Sequence, residues 1–358
     1  MIWFEFFVGL VLLVIGADFL VRGASRLAED VGISHLVVGL TVVAYGTSTP
    51  ELAVSTGAAI QGQGGIAVGN VVGSNIFNVL FIVGLVALIS PLPVARRIVD
   101  IDMPLLIGIS LLLLLMGLGL HYGVIDGAIL TIGILSYTIL LIYFDRKKIR
   151  AEKAALGHSL SLHDMKFRSV LFNVALIVGG LFCLVRGADW FVQGASQFAR
   201  YFDVDPLIIG LTIVGAGTSL PELMTSIIAA VRGKTDIVIG NVIGSNLFNI
   251  MAVLGVSGLS APNGITISPS VNSFDMVVMI MALVVCLPVF YTTRTISPKF
   301  GIYLFGLYVL YTWYLVHAAV NNIAVPGFAQ SLVFIVLPLL IIAMLQYLAG
   351  RRKLRSSS

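Results

Sequence analysis

Long apolar runs separated by short polar stretches organise this chain. Taking about 20 residues as the length needed to cross a bilayer, spans fall near 3–24, 34–60, 65–90, 101–120, 124–144, 169–192, 205–231, 236–260, 273–291, 300–319 and 328–349. The pattern predicts eleven helices, and no strict polar/apolar alternation suggests a membrane barrel. Composition agrees: the chain is 58% hydrophobic and 11% charged, with a mean hydropathy of +1.05. These values indicate an all-α, polytopic membrane protein rather than a soluble domain. Cys183 and Cys286 lie in apolar runs without metal-ligand spacing and read as packing residues.

The charged positions add an orientation. With the N-terminus outside, Arg26, Arg96, Arg97, the cluster from Arg146 to Arg168, Arg232, Lys234, Arg294, Lys299 and the tail from Arg351 all fall on the cytoplasmic side. Only Arg200 falls outside. That asymmetry follows the positive-inside rule, so the net charge of +4 reflects topology and calls for no nucleic-acid partner. The expected location is the cell (plasma or inner) membrane, with a cytoplasmic C-terminus. Residues 1–20 lack a basic n-region and their pattern recurs mid-chain, which reads as a retained helix rather than a signal peptide.

The chain is written twice. Residues 39–79, GLTVVAYGTSTPELAVSTGAAIQGQGGIAVGNVVGSNIFNV, return at 210–250 as GLTIVGAGTSLPELMTSIIAAVRGKTDIVIGNVIGSNLFNI. The offset is 210 − 39 = 171 residues without a gap, and Gly16-Ala17-Asp18 likewise matches Gly187-Ala188-Asp189. Five spans separate the copies, so the second runs through the membrane in the opposite sense, as in many secondary transporters. The expected organisation is a first five-helix repeat over 1–145 with its motif at 39–86, and a cytoplasmic linker over 146–168. An inverted repeat follows over 169–320 with its motif at 210–257, then an eleventh helix and basic tail over 321–358. His158, His163 and Asp164 in the linker read as a solvated loop in preference to a weak metal site.

Polar side chains inside the apolar runs carry the candidate chemistry. Glu51 and Glu222 occupy equivalent places, and an intramembrane acid is by default a functional-site hypothesis. Thr47, Ser48, Glu51 and Ser55 share one helix face at spacings of three and four, and Thr218, Ser219, Glu222 and Ser226 repeat it. Pro50 and Pro221 loosen the preceding turn and free backbone carbonyls, tolerable in a bilayer only where they line a cavity or find partners. In the following helix Asn70, Ser74 and Asn78, and again Asn241, Ser245 and Asn249, recur every fourth residue. Gly69 and Gly73, with Gly240 and Gly244, predict close helix approach. All these donors are hard oxygens, which suits Ca²⁺ or Na⁺ and disfavours zinc or copper. Asp18 with Arg22, and Arg186 with Asp189, read as in-helix ion pairs rather than gates.

GTSTPEL with GNVVGSNIFN, and GTSLPEL with GNVIGSNLFN, resemble the alpha-repeats of the sodium/calcium exchanger family, prokaryotic type, within the calcium:cation antiporter superfamily. The resemblance implies an antiporter, not an enzyme, exchanging Ca²⁺ for Na⁺ by alternating access, with the first helix of each repeat sliding over the others. It implies Glu51 and Glu222 as central ligands shared by both ions. Thr47, Ser48, Thr218 and Ser219 would supply oxygens chiefly to sodium, and Ala44 and Gly215 backbone carbonyls. Ser74 and Ser245 would complete the outer sodium sites, and Asn78 and Asn249 would close the centre. Asparagine at both last positions argues against potassium co-transport. No cofactor is implied, and the partners are membrane lipid and small inorganic cations, with no obligate protein partner evident. A proton-coupled calcium exchanger, a cation channel and an intramembrane hydrolase are the other readings of the same residues.

Overall fold

The computed structural model describes residues 2–155, 167–321 and 323. His158, His163 and Asp164, most of the basic tail and the eleventh span at 328–349 lie outside these residues. The first ten expected spans are all present: nine helices long and apolar enough to cross a membrane, and one bent pair that together makes the tenth, among the described residues. They are α1 (Ile2–Val31), α2 (His35–Thr47) with α3 (Thr49–Ile60), α4 (Gly64–Ile89), α5 (Ile98–Gly119) and α6 (Val124–Ala155). The second half holds α7 (Phe167–Tyr201), α8 (Pro206–Ile209) leading into α9 (Leu220–Val231), α10 (Thr235–Ser260), α11 (Val271–Thr292) and α12 (Pro298–Val320). Large apolar side chains stay exposed on the outer helices, among them Trp3, Phe7, Ile132, Ile139, Phe182 and Trp313, as expected of surfaces that meet lipid tails.

The chain divides into two compact units, residues 1–50 with 132–248 and residues 51–131 with the C-terminal part from Asn249. In the first unit α1 and α7 pack along their length. The contact is set by glycines seven residues apart, Gly9, Gly16 and Gly23 on one helix and Gly180, Gly187 and Gly194 on the other. A Cβ at Gly16 would come within 2.8 Å of Leu184 N, and one at Gly187 within 2.8 Å of Leu13 N. A Cβ at Gly9 would strike Phe191 N, and one at Gly180 would strike Leu20 N. As the first helix ascends from 9 to 23 its neighbours descend from 191 to 173, so these repeat-equivalent helices are antiparallel. Leu13 and Leu184, themselves 171 residues apart, are buried at the centre of the seam. The inversion expected from the duplicated sequence is therefore visible in direct packing.

In the same unit α2 starts at Ser34, whose hydroxyl accepts from Val37 N at 3.3 Å. Asp145 of α6 accepts from both Ser34 N (2.8 Å) and Ser34 Oγ (2.9 Å), so the cap satisfies donors that a helix start leaves open. The in-helix pairs form, Arg22 to Asp18 at 2.8 Å and Arg186 to Asp189 at 4.0 Å. Arg232 also pairs with Asp18, a link that spacing alone did not reveal.

The second unit carries the inversion in another form. Leu92–Pro93 (β1) pairs antiparallel with Thr295–Ile296 (β4), and His121–Tyr122 (β2) with Ile265–Thr266 (β3). The loop before α5 is thus tied to the loop after α11, and the loop after α5 to the loop before α11, as opposite senses require. Tyr122 donates to Leu113 O at 2.9 Å, and burial, with Asp126 nearby, pushes its phenol well above the ordinary range.

Single-turn π segments interrupt the helices at repeat-equivalent places: Gly39–Val43 and Gly210–Val214, then Phe77–Ile82 and Asn249–Val253. Such turns are rare and concentrate at functional sites. The glycine expectation holds for one copy only. Cβ atoms at Gly240 and Gly244 would meet Leu36 O at 2.7 Å and Leu40 O at 2.5 Å, whereas those at Gly69 and Gly73 would meet nothing within 4 Å. In the first unit α2 and α10 approach backbone to backbone; the glycines of α4 are half-buried without such a neighbour.

Candidate functional site

In the first unit, polar residues from both repeats converge around the end of α2. The axis turns by 47° between α2 and α3, with Ser48 at the break and Pro50 just beyond it. Ala44, Thr47 and Ser48 are wholly buried. Ser48 Oγ donates to Glu222 Oε1 at 2.8 Å. Thr47 Oγ1 lies 3.2 Å from Asn241 Oδ1 and also reaches the carbonyl of Val43. Ser245 Oγ donates to Ala44 O at 3.4 Å. Asn241 in turn donates to Ser226 Oγ (3.1 Å) and to Glu222 O (3.3 Å). Glu222 is wholly buried, and its Oε2 finds no hydrogen-bond partner among the described residues.

The second unit holds a matching group. Asn70 donates to Ser55 Oγ at 3.0 Å and to Glu51 O at 3.5 Å, repeating the Asn241–Ser226–Glu222 arrangement at equivalent positions. Ser74 Oγ donates to Glu51 Oε1 at 3.4 Å. Asn249 Nδ2 donates to Asn75 Oδ1 at 3.2 Å, and Asn249 Oδ1 is buried with no partner among the described residues. Glu51, Ser74, Asn78 and Asn249 are all buried.

The equivalence stops at the bend of the second repeat. Thr218 and Ser219 lie in a 3-10 turn, Gly217–Ser219, and Gly215 is exposed, while their counterparts Ala44 and Thr47 are α-helical and buried. Asn75, which joins Asn249, was absent from the expected ligand set. Its signal was available, since the Gly-Ser-Asn triplet recurs at Gly244-Ser245-Asn246.

Burial of an ionised carboxylate is costly unless charge and hydrogen bonds compensate it. Glu222 has hydroxyl and amide neighbours but no ion pair to a basic side chain among the described residues. Nor do three His, Cys, Asp or Glu residues cluster there. The donors are hydroxyl, amide, carbonyl and carboxylate oxygens, the set that hard cations take.

The family model described as sodium/calcium exchanger protein matches residues 1–144 and 172–317, two stretches whose starts are again 171 residues apart. The putative antiporter CaxA of Alkalimonas amylolytica is 40% identical over 255 residues, covering 71% of this chain and 79% of its own. The sodium/calcium exchanger MaX1 of Methanosarcina acetivorans is 33% identical over 337 residues, covering 85% and 95%. Among solved structures, the sodium-calcium exchanger NCX_Mj soaked with 10 mM Na⁺ and zero Ca²⁺ superposes with a TM-score of 0.75 at 32% identity. That match covers 87% of this chain and 98% of the other. With its inverted repeat, its multi-pass helices and its duplicated motifs, the chain belongs to the sodium/calcium exchanger family of membrane antiporters.

Proposed function

We propose that the protein exchanges Ca²⁺ for Na⁺ by alternating access, at a site near the middle of the membrane to which both repeats contribute. Glu51 and Glu222 are its central ligands. Thr47, Ser48, Thr218, Ser219, Ser74 and Ser245, with the carbonyls of Ala44 and Gly215, serve the sodium ions, and Asn78 and Asn249 close the centre. The observation that carries the reading is Glu222: a carboxylate shut away from solvent, one oxygen held by Ser48 and the other unsatisfied. A cation completes such a group. Competition for the same oxygens couples the two fluxes, since a divalent ion and the sodium ions that replace it cannot occupy them together. The N-terminus lies outside and the C-terminus in the cytoplasm, following the basic side chains.

Radiocalcium uptake into proteoliposomes tests this. An outward sodium gradient drives uptake, and Glu222→Gln or Glu51→Gln lowers it by a hundredfold or more, on the order expected when a buried charge partner is removed. Uptake driven equally well by a proton gradient without sodium would establish the proton-coupled alternative instead. Uncoupled flux without any counter-ion would establish a channel.

A further inference from the structure

The ends of α1 and α9 enclose a second polar cavity, far along both helices from the buried acids. It has a volume of about 510 Å³ and is lined by Arg22, Ser25, Arg26, Glu29, Arg232 and Lys234. Its charges are unevenly committed. Asp18 already takes Arg22 and Arg232, and Glu29 lies 3.5 Å from His35. Arg26 and Lys234 form no ion pair among the described residues. Between them Ser25 is 7% exposed, and its Oγ is buried with no hydrogen-bond partner. Two uncommitted cations and an unsatisfied hydroxyl thus border one opening.

The duplication provides an internal control. The positions equivalent to Arg22, Arg26, Arg232 and Lys234 are Gln193, Gln197, Gln61 and Gln63. Every cation of the cavity has a neutral amide of similar reach in the other copy, so helix packing alone does not demand the charge. A general preference for basic residues on one side of the membrane explains part of this. It does not explain an enclosed cavity or the hydroxyl left without a partner at its wall.

We infer that this cavity binds a phosphate-bearing anion, the headgroup of an acidic lipid or a free phosphate. Guanidinium forks and an ammonium match phosphate oxygens, and basic pockets between helices at a membrane face hold acidic headgroups. Arg26 and Lys234 neutralise the anion, and Ser25 donates to one of its oxygens once the long arginine side chains shift. The site is separate from the proposed exchange centre and stands whether or not calcium is the cargo.

The test uses the purified full-length protein in phosphatidylcholine nanodiscs, titrated with dioctanoyl phosphatidic acid and, separately, with inorganic phosphate. The wild type binds phosphatidic acid saturably. The double variant Arg26→Gln, Lys234→Gln, which copies the other repeat, binds about thirtyfold more weakly, taking each cation as roughly fivefold. Ser25→Ala, which changes no charge and removes an already unsatisfied group, binds about tenfold more weakly while melting as the wild type does. Binding of inorganic phosphate with no preference for the lipid assigns a soluble ligand; tighter binding of the lipid assigns a headgroup. Unchanged binding in both variants overturns the inference. So does an equal loss in Arg150→Gln, since that would mean diffuse attraction rather than a built site.

Discussion

Ser48 shows at the scale of one residue how the repeats depend on each other. Its hydroxyl belongs to the first repeat, yet its acceptor is the carboxylate of the second. A hydrogen bond to a charged group contributes roughly 1.5–3 kcal/mol, so Ser48→Ala should raise the sodium concentration for half-maximal exchange by about tenfold. Sodium-dependence curves in proteoliposomes measure this, and an unchanged curve would remove Ser48 from the sodium ligands. Asn249 carries a second prediction. With asparagine there and at position 78, added potassium should leave the initial rate of calcium uptake unchanged, whereas potassium-stimulated uptake would contradict the assignment. Much at this scale was legible in the sequence, because Glu51 and Glu222 are acids where lipid penalises acids, and because every polar neighbour recurs 171 residues on. Asn75 was less legible: it lies off the every-fourth-residue stripe of Asn70, Ser74 and Asn78, and only its pairing with Asn249 draws attention to it.

Whole helices were the easiest features to read and their interruptions the hardest. An apolar run of bilayer length has few alternatives to a helix, so the first ten spans follow from hydropathy alone. The π turns at Gly39–Val43 and Gly210–Val214 leave that pattern untouched, because one extra residue in a turn changes no composition. The two-residue strand pairs are likewise too short to leave a periodicity. Glycine shows the same divide. Gly179 and Gly180 are adjacent in α7, but a Cβ at Gly179 meets nothing within 4 Å while one at Gly180 lies 2.7 Å from both Gly16 O and Leu20 N. Gly179→Ala should therefore be neutral or stabilising, by up to about 1 kcal/mol of helix propensity. Gly180→Ala should destabilise by roughly 1–3 kcal/mol through overpacking. Thermal melts of the two variants in detergent separate the cases, and equal melting temperatures would dissolve the seam as a close contact.

For the molecule as a whole, the duplicated sequence does not produce two identical environments. Val43 is wholly buried, while Val214, its counterpart 171 residues on, is about half exposed. A transporter that alternates must make equivalent elements trade places, and this conformation holds one element covered and the other open. In the absence of a driving gradient, Val214→Cys should react with a membrane-impermeant thiol reagent and Val43→Cys should not, against the wild type with its native Cys183 and Cys286 as blank. Conditions that reverse the state should reverse the order of labelling. Identical reactivity under every condition would count against alternation between these elements.

The glycine seam has a consequence for ancestry. Gly16 of one copy meets Leu184 of the other, and Gly187 meets Leu13, the same two positions with their roles exchanged. A surface that recognises itself in this reciprocal way is the hallmark of a twofold homodimer. A single ancestral half, inserted in both directions, already carried the face needed to join with its own opposite, and fusion of two such genes made that partnership permanent.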